Sequence, residues 1–356
     1  MEKRLKYIDA LKGLGIILVV LGHTILEYLY PIDLKYFFLF NSLIYIKYNV
    51  LYNFIYSFHI PLFFIISGYL IYHKYQNNFN DINYKNLIKK TIIPYEIFSI
   101  IAITINLIVD FYFGDNFVEN LNKNIVYTLI FDGFSALWFL PTLLISKTIF
   151  LFINKNFSQK QKCILYIVLT IITYFFSLNY NFYYWINNSI NIKTIFVLIS
   201  NIINRSIIGT IFIMIGYTSY YFINNQSNKI LNIIISIIII FINIVLSMFN
   251  EGVDLHYSVI NNPILYYYLA ISTSISLIVL FKLMYNKFFI PLEFLGKNSL
   301  LIMCTHYPFQ IIRVLSHYIK TNNVYTNEFI IFIFTMIIEI IIIILINELK
   351  KKTVKT

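Results

Sequence analysis

The sequence predicts an all-α polytopic membrane protein with about ten transmembrane helices and both termini in the cytoplasm, on three observations. The chain of 356 residues is 59% hydrophobic and only 12% charged, about half the charged fraction usual in a soluble domain. Apolar runs such as 229–249 and 329–346 supply the roughly 20 residues that one helical crossing of a bilayer takes. Lysines gather in alternate loops, which is how cytoplasmic segments are recognised.

Read in order, the apolar runs predict spans at 8–29, 49–72, 87–113, 124–153, 162–178, 194–222, 230–249, 264–285, 294–316 and 328–348. The first contains Asp9, Lys12 and His23 and no small-residue cleavage site, so it is expected to be a permanent span, not a signal peptide. With the N-terminus inside, the cytoplasmic segments hold Lys3, Arg4, Lys6, Lys74, Lys85, Lys89, Lys90 and the lysines of 350–355. The other side holds Lys35, Lys47, Lys123, Lys193 and Lys320, with Asp33, Asp115, Glu119, Glu251 and Asp254 nearby. An even number of spans satisfies that asymmetry. No internal repeat is visible, and residues 1–356 read as a single membrane domain with no attached soluble catalytic domain expected.

Cys163 and Cys304 both fall in apolar stretches and are expected to be packing residues instead of a disulfide. The net charge of +11 sits between spans without a nucleic-acid-binding motif, so topology accounts for it and no nucleic-acid partner is expected. The heavy use of Ile, Asn and Lys is that of an AT-rich coding sequence and points to a low-GC bacterium, with the chain in its inner (plasma) membrane among lipids.

Ionisable side chains in hydrocarbon cost roughly 2.5–3.5 kcal/mol each on insertion scales, so their positions carry information. Lys12 lies one turn into the first span and His23 eleven residues deeper, about 16 Å along the axis and nearly on the same face. Two roles are open for Lys12: snorkelling with Asp9 as partner, or lining an inner mouth. His23 either bonds a neighbouring helix or belongs to a site. The second span carries SFHIPLFFIISGYL from Ser57, which puts His59 at a depth comparable to His23. Pro61 kinks that helix, and Ser67 and Gly68 admit a close neighbour. Arg205 stands mid-depth in the sixth span with no opposite charge within a turn; it needs a partner from another span, Asp132 or Glu96, or else faces a cavity. His306 lies about halfway through the ninth span. His73, His256 and His317 lie near loops and draw no role, and Trp138 and the tyrosines read as core and interface residues.

Taken together these residues resemble the membrane-embedded acyltransferase family 3. Its pattern is a basic residue, ten intervening residues and a histidine, then H-x-P-L-F-F-x-x-S-G, and both stand here as Lys12 to His23 and His59 to Gly68. Leu137 to Leu140, Arg205 to Tyr217, and LGKNSLLIMCTH from Leu295 to His306 extend the resemblance over nearly all of the membrane domain. Lys12 departs from the family's usual arginine, replacing a planar five-donor fork by a point charge.

The resemblance implies transfer of an acyl group, acetyl by default, from cytoplasmic acyl-CoA to a hydroxyl of a cell-surface glycan or lipid-linked saccharide. It implies no tightly bound cofactor and no metal site. Lys12, Lys89 and Lys90 would receive the acyl-CoA phosphates, His23 would act as general base or transient acyl carrier, and His59 would orient it or share its proton. Arg205 and His306 complete the expected cavity. A transporter or flippase for a saccharide or lipid-linked glycan is the competing expectation, since it too would be polytopic with buried charges.

Overall fold

The computed structural model describes residues 4–29, 50–76, 78–79, 82–179, 192–225, 227–250, 252–320 and 324–353. Lys3, Asp33, Lys35, Lys47, Glu251 and Lys355, which entered the orientation above, lie outside them, as do the side chains of Lys193 and Lys352. Helices α1 (Lys6–Leu29), α2 (Val50–Tyr75), α3 (Tyr84–Phe113), α4 (Phe117–Leu129), α5 (Phe139–Asn156), α6 (Gln159–Asn179) and α7 (Ile192–Asn224) are followed by α8 (Lys229–Ser247), α9 (Pro263–Met284), α10 (Ile290–Lys297), α11 (Ser299–Thr305), α12 (Ile311–Tyr318) and α13 (Val324–Thr353). Among the described residues no strand forms; Asp254 and Val259 make an isolated antiparallel bridge. The protein is therefore an all-α polytopic membrane protein. Among the described residues nine helices are long and apolar enough to span a bilayer, ten when the bent pair α10–α11 counts as one.

Local chemistry sets the ends of these helices. Asn83, Asn228 and Asn262 each accept a backbone N–H from the first turn of α3, α8 and α9, satisfying donors that the helix itself leaves orphaned. Gly114 closes α3 in the left-handed conformation.

Burial divides the bundle into a core and a rim. Over an apolar 18-residue stretch of each, α1, α2, α5 and α7 bury 67, 67, 61 and 61% of the residues, whereas α3, α6, α8 and α13 bury 22, 17, 17 and 22% and turn many isoleucines and phenylalanines outward. Cys163, on peripheral α6, is accordingly exposed instead of packed, and Cys304 is buried. Two core contacts bring backbones together through glycine. A Cβ on Gly68 of α2 would lie 1.9 Å from the Ile213 carbonyl oxygen of α7, and one on Gly13 of α1 would lie 1.9 Å from that of Leu292 in α10. Any side chain there separates the helices.

Two expected spans are corrected. Residues 124–153 do not form one helix: α4 ends at Leu129, Phe131 and Gly133 take positive φ, and the 3₁₀ turn Ser135–Trp138, itself opening at positive φ on Ser135, leads into α5. The break has a cause in sequence, because Gly133 supplies a left-handed turn after Asp132 and its backbone lies where a Cβ would meet Trp138 N at 2.6 Å. Nor is 294–316 one helix. The chain bends by 52° between α10 and α11, turns at Gln310 in the left-handed conformation, and continues as α12, whose Arg313 meets Asp110 and Asp115.

Candidate active site

The core helices enclose a cavity of about 550 Å³, within the usual range for ligand sites. One face of α1 runs its whole length, since Lys12, Ile16, Val19, His23 and Glu27 follow at helical steps of three or four and all line it. The other walls come from α2 (Tyr52, Tyr56, His59, Ser67), from the 3₁₀ turn and α5 (Ser135, Trp138, Lys147), from the 252–261 loop, and from α11 with Tyr307.

His23 and His306 form the centre. Their rings lie within 5° of parallel, with His23 Nδ1 2.8 Å from His306 Nε2, and His306 Nδ1 is 2.6 Å from the Ile302 carbonyl oxygen. A carbonyl only accepts, so His306 Nδ1 carries its proton and donates it there. In a neutral ring that leaves His306 Nε2 a bare acceptor, and His23 Nδ1–H donates to it. His23 Nε2 is then the unprotonated nitrogen left for the cavity. The same logic applies to His59, whose Nδ1 donates to the Ile55 carbonyl at 2.7 Å and whose Nε2 is left bare. Tyr307 packs 4.7 Å from His23, and Tyr56 packs 4.8 Å from His59.

Lys12 stands at the expected inner end of this cavity, but Lys89 and Lys90 do not join it: both are exposed on the flank of α3. Lys147, on α5, lines the cavity together with Lys12. Among the described residues neither lysine has a carboxylate at ion-pair distance. Lys147 was visible in sequence as a lysine inside the apolar run FLPTLLISKTIFLF, by the same test that singled out Lys12.

Arg205 lies behind the wall. It is fully buried, with Nη2 2.7 Å from the Asp132 backbone oxygen and 3.0 Å from its carboxylate, Nη1 3.0 Å from the His256 carbonyl, and the guanidinium 5.1 Å from the Trp138 ring centre. Asp132 is thus its partner, and Glu96 is exposed elsewhere. One side chain fixes three wall segments at once: the left-handed turn, the Trp138 ring and the 252–261 loop.

That loop folds back between helices and brings His256 into the wall, a residue to which the sequence assigned no role. Asn201 donates to the His256 carbonyl at 2.8 Å, Asp254 accepts the His256 N–H at 2.9 Å, and the imidazole lies parallel to Trp138 at 5.3 Å. Burial first, and the Arg205 charge second, push His256 well below the ordinary imidazole range, so it is neutral. His73 pairs with Tyr220 and His317 packs on Phe113, both away from the cavity. Among the described residues no group of three His, Cys, Asp or Glu is placed to hold a metal ion.

A cavity with a basic end and a bare imidazole nitrogen further along can hold an anionic group at one point while removing a proton at another. The family model described as an acyltransferase domain matches residues 5–348 of the chain. No curated protein and no solved structure gives a match.

Proposed function

Because the chain belongs to acyltransferase family 3, and is thus a membrane acyltransferase, we propose that it moves an acetyl group from cytoplasmic acetyl-CoA to a hydroxyl of an extracytoplasmic saccharide. The acceptor is a cell-surface glycan or a lipid-linked saccharide, and the setting is the inner (plasma) membrane of a bacterium. One observation carries this reading: a single cavity is lined by Lys12 and Lys147 at one end and by His23 and His59 further along, each imidazole with its Nδ1 engaged at hydrogen-bond distance by a neighbour.

That separation suits a donor whose phosphates and reacting thioester stand at opposite ends of a long arm. Lys12 is eleven residues from His23, about 16 Å along α1. The two ammonium groups hold the phosphates, as point charges do, and the arm runs along the α1 face to the imidazoles. His23 Nε2 takes the proton of the acceptor hydroxyl as its oxygen attacks the thioester carbonyl. The C–S bond breaks, the thiolate leaves, and the proton passes to it, so acetyl ester and free CoA are the only products. During the step His306 accepts from the Nδ1–H of the imidazolium and keeps that ring in one orientation, while His59 offers a second acceptor. The Ser135 hydroxyl, buried in the wall without a partner, is available to the carbonyl oxygen as charge develops on it.

The experiment is transfer of labelled acetyl from acetyl-CoA by protein in lipid nanodiscs. Wild type should acetylate a saccharide acceptor, and His23→Ala should lose about 100-fold or more of the rate with unchanged thermal unfolding. Full transfer by a folded His23→Ala protein overturns the role of His23. Passage of saccharide across vesicles without consumption of acetyl-CoA overturns the enzyme reading in favour of a transporter.

A further inference from the structure

We propose that the outer end of the cavity is an acceptor subsite for a saccharide carrying neither carboxylate nor phosphate, a neutral or amino sugar, bound by Glu27, Asp254 and His256 beside tyrosine rings. This rests on the acyl-transfer reading above and specifies which hydroxyl compound the same site takes.

The cavity's charges are segregated by sign. Among the described residues its cationic side chains are Lys12 and Lys147 and its carboxylates are Glu27 and Asp254. Glu27 is fifteen residues beyond Lys12, about 22 Å along α1, and one turn beyond His23 on the same face. A carboxylate one turn from the proposed base is placed to accept hydrogen bonds from the hydroxyls, or the ammonium group, of a sugar whose reacting oxygen lies at His23.

Glu27 has capacity to spare. Its Oε2 accepts from Tyr307 OH at 3.3 Å, a long bond, and among the described residues Oε1 has no partner. His256 has an unused nitrogen as well: its backbone is tied to Asn201, Arg205 and Asp254, while Nε2 is buried without a partner. A polar atom fixed and unpaired in a cavity wall is costly unless something fills it. Nearby guanidiniums do not reverse the sign of this end. Arg205 is paired with Asp132, and Arg313 with both Asp110 and Asp115.

The rings supply the remaining chemistry. Tyr52 and Tyr56 stack at 4.0 Å, Tyr307 adjoins His23, and all three line the cavity; such rings present an apolar face and a polar tip to a sugar. Trp138 is not a platform, because His256 and Arg205 already lie against its ring. A uronate or phosphorylated sugar would bring its charge beside two carboxylates and, among the described residues, find no unpaired cation there, an arrangement that selects against it.

Saturation-transfer difference NMR on the full chain in nanodiscs, at pH 7.5 and without acetyl-CoA, tests the proposal with methyl glucoside, methyl glucosaminide and methyl glucuronide. The first two should give signal and the glucuronide at least tenfold less. Glu27→Gln and the double variant with Asp254→Asn should narrow that gap, and Asp254→Asn alone should narrow it in part if the double variant does not fold. Equal signal from the glucuronide and glucoside in wild type overturns the proposal, as does the absence of signal from all three or an unchanged gap in folded variants. Acetyl release from acetyl-CoA, measured without sugar, separately reports whether the donor half of the acyl-transfer reading holds.

Discussion

Replacing His306 by alanine isolates what one hydrogen bond contributes to a base. His306 Nε2 accepts from His23 Nδ1 at 2.8 Å and does not itself line the cavity. Between two neutral rings that bond is an ordinary one, and under the proposed mechanism it becomes charge-assisted when His23 takes the acceptor's proton. A neutral hydrogen bond nets about 0.5–1.5 kcal/mol and one to a charged group about 1.5–3 kcal/mol. The difference, about 1–2 kcal/mol, appears only as the proton moves, so His306→Ala should lower kcat about 5–30-fold. KM for acetyl-CoA should stay near wild type, because the proposed donor contacts, Lys12 and Lys147, lie elsewhere in the cavity. His306→Gln, whose amide oxygen can accept the same N–H, should recover part of the rate. Labelled-acetyl transfer at varied donor concentration, on protein matched by thermal unfolding, reads all three quantities. Wild-type kcat in His306→Ala refutes the reasoning, as does a folded variant as inactive as His23→Ala with no recovery by glutamine.

Lys12→Ala and Lys147→Ala should each raise KM for acetyl-CoA several-fold with little change in acceptor dependence, and Lys12→Arg should keep most activity; Lys89→Ala and Lys90→Ala, exposed outside the cavity, should do neither. Arg205→Ala leaves Asp132 buried without its partner and should destabilise the fold by about 3–5 kcal/mol, seen as a large drop in the thermal midpoint, with Arg205→Lys restoring little. Burial raises the Asp254 carboxyl to about 6, against the pull of backbone N–H groups of His256 and Tyr257. The folded value lies above the unfolded one, so the folded state binds the extra proton between about pH 4 and 6, and stability falls as pH rises through that window. Asp254→Asn should therefore flatten the fall in thermal midpoint between pH 4 and 7, a contribution on the order of 1–3 kcal/mol. In intact cells, a thiol introduced at exposed Lys85 should be protected from an impermeant reagent, and its labelling would invert the orientation.

Apolar length alone located most of the spans, because hydrocarbon thickness is a strong constraint and the bundle's helices meet it. It failed where a turn occupies two or three residues inside an apolar stretch. The Asp132–Gly133 break and the bend at Asn298 vanish in any window long enough to detect a span. Helical periodicity placed Lys12 and His23 on one face, and it would have found Glu27 and Lys147 had every ionisable residue inside an apolar run been followed. Depth alone gave no direction for Lys89 and Lys90, which are exposed on a rim helix and do not line the cavity. His256 left no local signal. Its place depends on a loop folding back onto Asn201 and Arg205, partners more than fifty residues away in the chain.

That Lys12, His23 and Glu27 all belong to α1 has a consequence for how such a chain can vary. Their spacing is set by the hydrogen-bonded geometry of one helix, so tilting or sliding of the surrounding helices leaves it unchanged. Inserting one residue between Lys12 and His23 turns everything beyond it by about 100° and swings the imidazole away from His306. Inserting four nearly restores the azimuth and lengthens the interval by about 6 Å. The first span thus behaves as a vernier: its reach can change only in whole turns, and a donor with a longer or shorter arm would call for a helix longer or shorter by a turn.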